Sequence, residues 1–139
     1  MSRGLVTFIH FVLDVGVTEI SVKTGSIKWA GTDDKVSITI CDASENCCST
    51  PLNNPGNDRA KGAVDVYTNP DTLGACSEAA MAKGDLTVTL AKERSDGWYV
   101  DWAEIQLAGG MSYSCLFDLW LDDNAGYSRS KTVQCSVNW

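Results

Sequence analysis

The sequence predicts an all-β fold, an antiparallel eight-stranded β-sandwich with at most one short helix. Three observations carry that expectation. Apolar residues alternate with polar ones in short runs, the pattern of half-buried strands. Gly, Asn and Asp punctuate those runs and the three prolines all fall in the loops between them, where turns need restricted or left-handed backbone. Six cysteines in 139 residues supply the disulfides that small extracellular β domains use to supplement a modest core.

Taken in order, residues 1–17 stand apart from a sandwich domain at 18–139. Met1-Ser2-Arg3 followed by the apolar run Gly4 to Leu13 reads either as a degenerate signal peptide or as an extra strand. Asp14 interrupts the run and no small-x-small cleavage pattern follows; the run is also too short to cross a bilayer as a helix. Ile20 and Val22 alternate up to Gly25, and Val36, Ile38 and Ile40 alternate up to Cys41-Asp42. Val64 and Val66 follow Gly62, and Leu86, Val88 and Leu90 follow Gly84-Asp85. The helix-like piece is Ala75 to Lys83, two turns at most. Tyr99 to Leu107 is the longest strand candidate, yet Trp98, Val100 and Trp102 load its opposite face. Such a strand is buried on both sides, bulged, or using one face for binding. Met111 to Phe117 and Thr132 to Val137 complete the set.

The six cysteines are Cys41, Cys47, Cys48, Cys76, Cys115 and Cys135. They allow fifteen pairings, and sequence does not choose among them; the pairing expected first is Cys115 with Cys135, which would tie the C-terminal tail to the last long strand. A net charge of −7 with no dense Lys/Arg patch argues against a nucleic-acid partner. It also means that docking on anionic lipid requires bound cations or inserted apolar side chains. The sole histidine, His10, lies outside the sandwich, so a Ser-His-Asp or Cys-His arrangement has no base within it. No P-loop, GxGxxG or HExxH motif occurs. Carboxylate pairs among Asp33, Asp34, Asp58, Asp96 and Asp101 are easily found in a chain with 18 acidic residues. The expected class is a binding module and not an enzyme. Two loops, Gly31-Thr32-Asp33-Asp34 and Leu52 to Asp58, combine turn residues with the hard oxygen donors that calcium takes.

An ordered set of motifs, Lys23-Thr24-Gly25, Ala30 to Asp34, Asn54 to Asp58, Lys61-Gly62, Asp65 and Gly97-Trp98-Tyr99, resembles the PLAT (lipoxygenase-homology) domain. That family takes in polycystins, lipoxygenases, animal lipases and clostridial alpha-toxin, and the resemblance runs from about Glu19 to Leu121. It implies PLAT topology for the sandwich and calcium as cofactor. Its ligands carry over to Gly31, Thr32, Asp33, Asn57 and Asp58, with Asp96 as a further carboxylate. It also implies contact with a membrane lipid surface, or with a protein partner in trans, through Trp29 and Trp98 beside the same loops. Three departures stand out. Trp29 occupies a position where alpha-toxin carries an Asp, Arg59 one where many relatives carry Phe, and Leu116 and Leu119 replace a Pro and an Arg. With its cysteines the chain reads as a secreted, single-domain version. The alternative from another class is a carbohydrate-binding β-sandwich module.

Overall fold

The computed structural model describes residues 14–54, 58–68, 70–82, 84–94, 96–123 and 126–138. Ten strands follow one another: β1 (Asp14–Val15), β2 (Val17–Thr24), β3 (Val36–Asp42), β4 (Cys47–Pro51), β5 (Val64–Tyr67), β6 (Met81–Ala82), β7 (Leu86–Lys92), β8 (Trp98–Leu107), β9 (Ser112–Leu121) and β10 (Ser130–Asn138). One helical turn, α1 (Pro70–Leu73), runs into a 3₁₀ segment at Gly74–Glu78 between β5 and β6.

Eight strands form one curled antiparallel sheet in the order β4-β3-β7-β10-β9-β8-β2-β5, and β1 pairs with β6 separately. Strand β10 makes the sheet a sandwich. Its residues Ser130–Cys135 pair with β7, and Ser136–Asn138 pair with β9 on the other side. The two halves close over a core that includes Ile20, Ile38, Ile40, Leu86, Val88, Leu90, Trp98, Ile105 and Tyr113. An alternating strand must bury one face, and folding the sheet on itself buries all of them together.

Local details differ from the sequence reading. The helical piece lies earlier than Ala75–Lys83, and Met81–Ala82 is extended. Val17 begins β2 and is buried in the core, so the boundary at residue 17 cuts through a strand. The remainder of the N-terminal segment, residues 1–13 with His10, lies outside the described residues. In β5 the alternation runs opposite to simple expectation: Val64 and Val66 are 46% and 43% exposed, while Tyr67 is buried.

The two apolar faces of β8 are reconciled by a bulge. Register slips between Val100 and Trp102 on both sides: against β2, Asp101 is an extra residue of β8, and against β9 it faces two residues, Phe117 and Asp118, the latter with φ +48°. Trp98 and Val100 therefore point inward before the slip, and Ala103, Ile105 and Leu107 after it. An extra residue on one strand reverses the alternation downstream.

Three disulfides brace the sandwich: Cys41–Cys47, Cys48–Cys76 and Cys115–Cys135. Beside the first, Asp42 continues the inward phase of Val36, Ile38 and Ile40. Its Oδ1 accepts from Ser44 N and Asn46 N, and its Oδ2 from Asn46 Nδ2 and Ala82 N, all at 2.9–3.0 Å. Burial pushes this carboxyl up, but those four donors outweigh it and hold the pKa below the ordinary 3.8. The stabilisation is thus present above the unfolded carboxylate's pKa and lost as pH falls through the lowered folded value. Asp42→Ala is expected to lower stability by about 2–3 kcal/mol at neutral pH, since buried donors lose a charged acceptor. The deficit relative to wild type should shrink in urea titrations below pH 4; a pH-independent deficit would assign the loss to packing alone.

Candidate functional site

Three loops distant in sequence meet at one pole of the sandwich. The β2–β3 loop crosses the β4–β5 loop, where Thr32 N donates to Arg59 O at 3.3 Å. Glycine suits this close approach, because a Cβ on Gly31 would lie 3.0 Å from Arg59 O and 3.1 Å from Lys61 N and would press the two loops apart. The β7–β8 loop arrives through Asp96. Thr32 Oγ1 donates to Asp96 O at 3.0 Å or to its Oδ2 at 2.9 Å, and Asp33 N donates to the same Oδ2 at 2.9 Å. Gly31, Thr32, Asp33, Arg59, Ala60 and Asp96 line a solvent-open pocket of 270 Å³.

Beneath the pocket lies a buried charge network. The Asp34 carboxylate pairs with Lys92 Nζ at 3.3 Å, both side chains fully enclosed, and it also accepts from Arg94 N at 2.8 Å and Lys35 N at 3.1 Å. Lys92 Nζ donates in addition to Arg94 O, and Asp34 N donates to Thr32 Oγ1 at 3.1 Å. Arg59 fills the space next to this pair. Its Nη1 donates to Leu52 O at 2.7 Å and its Nη2 to Asp34 O at 3.0 Å, two loop carbonyls that a Phe at this position would leave without those donors. Its own N–H donates to Asp65 Oδ2 at 2.7 Å. Burial pushes the Asp65 carboxyl up against the lowering effect of that bond, and Asp58 adds to the rise.

The pole therefore gathers Gly31, Thr32, Asp33 and Asp96, and the structure places two other expected residues elsewhere. Asp58 precedes Arg59 in the β4–β5 loop, but it does not line the pocket and its carboxylate turns inward. It accepts from Asn54 N at 2.6 Å and lies 3.7 Å from Arg59 Nη1. It is corrected here from a ligand to an internal bracket of its loop, because Arg59 and an unpaired amide compete for its oxygens. Asn57 lies outside the described residues. Trp98 is likewise corrected: it is 0% exposed, with Nε1 donating to Thr24 Oγ1 at 2.9 Å, so it is core and not a contact surface. Trp29 has the opposite environment, 78% exposed at φ +67°, with Lys28 Nζ 5.4 Å from its ring centre. Ile27 on the same loop and Tyr127 are also exposed. Nearby, Tyr99 meets Trp120 edge-on at 5.4 Å. The Asp118 carboxylate that accepts its hydroxyl pushes the Tyr99 phenol up to about 12, so it stays neutral at physiological pH.

Lys92 and Arg59 are the pole residues that reading the sequence for ligands passes over. Period two does mark Lys92, since it continues the inward phase of Leu86, Val88 and Leu90. Arg59 is marked only as a departure from the resembled family, and its partners Asp34, Leu52 and Asp65 are not given by local spacing.

The donors at the pole suit calcium in kind: two carboxylates, a hydroxyl and backbone carbonyls, all oxygen. They fall short of a closed shell of roughly six to eight oxygens. Among the described residues no group of three His, Cys, Asp or Glu side chains could hold a metal. This set fits an open, shallow site with positions left for water or an external oxygen ligand.

No family model matches the chain. Over 124 residues, 86% of this chain, it is 27% identical to a polyunsaturated fatty acid lipoxygenase (ALOX8) of Mus musculus, of which the match spans 18%. Among solved structures, a coral 8R-lipoxygenase, described as calcium-activated via a C2-like domain, superposes with TM-score 0.64 at 20% identity. That match covers 85% of this chain and 16% of the lipoxygenase. An alpha-toxin from Clostridium absonum superposes with TM-score 0.64 at 19% identity, over 86% of this chain and 31% of the toxin. The chain folds as a PLAT-type, C2-like domain. It spans under a fifth of these lipoxygenases and under a third of the toxin. Among the described residues no helix is long and apolar enough to cross a membrane.

Proposed function

We propose that this chain is a secreted, non-catalytic PLAT-type module that docks on a lipid surface through its β2–β3 loop, assisted by calcium. The observation that carries this reading is Trp29. A bulky side chain in the left-handed region is disfavoured, and such residues mark functional positions when their surroundings hold them. Among the described residues the indole is not packed into the core and stands in solvent next to Ile27 and Lys28, whose ammonium lies over its ring. An amphipathic ring at a loop tip suits the interfacial region of a bilayer, and Lys28 offers a positive charge to headgroup phosphates.

Asp33, Asp96 and the oxygens around Thr32 would hold calcium, which would offset the local negative charge and attract headgroup phosphates. The chain's own residues do the rest. Asp96 clamps the Thr32–Asp33 turn, Asp34 fixes Thr32 from below, and Gly31 lets the two loops abut. Extracellular calcium, present at millimolar levels, matches a weak site of this kind.

Trp29→Ala is expected to change stability by less than about 1 kcal/mol, as an exposed substitution does, while reducing sedimentation with phospholipid vesicles in calcium. A core-sized loss of stability, or unchanged sedimentation, counts against the docking loop. Separately, millimolar calcium is expected to raise the melting temperature over chelator, because ligand bound only to the folded state stabilises it. Asp33→Ala combined with Asp96→Ala should remove that shift; identical wild-type melting curves with and without calcium would dismiss the cation site. Should vesicles fail to retain the wild-type chain under any condition, the exposed loop is left to a protein partner in trans.

A further inference from the structure

We propose that the solvent face of β8, β9 and β10 carries a second site, a groove for a neutral pyranose saccharide with Trp102 as its stacking platform. The bulge in β8 creates it. As an extra residue against β2, Asp101 reverses the alternation and turns Trp102 out of the core in the middle of this ten-residue strand. Register then sets Trp102 opposite Leu116, Glu104 opposite Ser114, and Ser114 opposite Ser136. With Gln134 these residues line a groove of 340 Å³, within the size range of small-molecule sites.

Among the described residues, all but one of the polar side chains around the indole are free to bind. Ser114 Oγ is engaged with Asn138 Oδ1 at 2.9 Å. The Glu104 carboxylate, Gln134 amide, Ser136 hydroxyl and Trp102 indole N–H have no hydrogen-bond partner among the described residues. They face an indole that is only partly covered and Leu116, which is 71% exposed.

Charge then selects the ligand class. No Lys or Arg lines the groove, Glu104 is its charged member, and the chain carries −7 overall. Lys23, which lies next to Trp102 across the sheet, is paired with Asp101 at 3.1 Å. Phosphates, sulfates and nucleic acid are therefore repelled. An acyl chain would cover Glu104 without giving it a partner, which is costly. A pyranose ring meets both demands, with an apolar C–H face for the indole and a rim of hydroxyls for carboxylate, amide and serine.

The site is independent of docking at the pole, and the test keeps them apart. The folded chain is titrated with cello-, laminari- and mannohexaose, following the five tryptophan indole N–H signals by NMR. At least one glycan is expected to bind saturably and shift the Trp102 signal. Trp102→Ala should weaken that binding about tenfold or more, as loss of a central aromatic anchor does. Gln134→Ala, an exposed change that leaves the fold intact, should weaken it to a smaller extent. Trp29→Ala should retain full glycan binding. The proposal is overturned if none of the three glycans saturates, or if affinity survives both groove substitutions. It is equally overturned if the face instead mediates self-association that Leu116→Asn abolishes.

Discussion

Lys92→Met is expected to lower the unfolding free energy by about 3–5 kcal/mol, the usual consequence of removing one partner of a buried ion pair. The methionine keeps much of the apolar stem, so the loss is mainly electrostatic. It leaves the Asp34 carboxylate enclosed with the Arg94 and Lys35 amides as its remaining donors among the described residues, at 2.8 and 3.1 Å. Arg94 O loses the ammonium as well. Adding Asp34→Asn should recover more than half of the loss, because no uncompensated charge then remains inside. Urea unfolding of the two single variants and the double variant, with disulfides intact, measures this coupling directly. A Lys92→Met loss below about 1 kcal/mol would mean that water reaches the pair as it reaches surface ion pairs. The same variant should blunt the calcium-dependent melting shift, since Asp34 N holds Thr32 Oγ1 at the pocket.

Trp98→Ala is expected to lower stability by about 3–5 kcal/mol, in the range for large buried aromatics. Trp98 is the largest fully buried side chain among the described residues, and its removal opens a cavity beneath the pole. Its indole N–H also satisfies Thr24 Oγ1, which is itself buried. Trp98→Phe should lose less, keeping most of the volume but leaving that hydroxyl without its donor. Calorimetric melting of both variants beside Trp29→Ala provides the check. Comparable losses at positions 29 and 98 would contradict the opposite environments of the two tryptophans, one in solvent and the other enclosed.

Much of this architecture is legible residue by residue. The alternations Val36-Ile38-Ile40 and Leu86-Val88-Leu90 mark β3 and β7 and their buried faces. Continued one step further, they mark Asp42 and Lys92 as inward charges that must find partners. The Gly-Thr-Asp turn and the Gly-Trp strand likewise announce a pole where loops gather. Other features are not local. The slip at Asp101 sets which of Trp98 and Trp102 faces solvent, and it depends on how β8 pairs with β2 and β9. The burial of Tyr67 in place of Val64 and Val66 depends on how β5 lies on β2. Asp58 turned inward because Asn54 N and Arg59 reach its carboxylate first.

Composition and period two were enough to determine a small antiparallel β-sandwich with acidic, oxygen-rich loops and the raw material for three disulfides. These are properties of each segment alone, set by strand geometry and turn chemistry. Only the tertiary structure decided which carboxylates share the open pocket, which tryptophan stands in water, and which cysteines meet. Those outcomes depend on register and on carbonyls and amides from distant segments competing for the same side chains, and neither is encoded in local spacing.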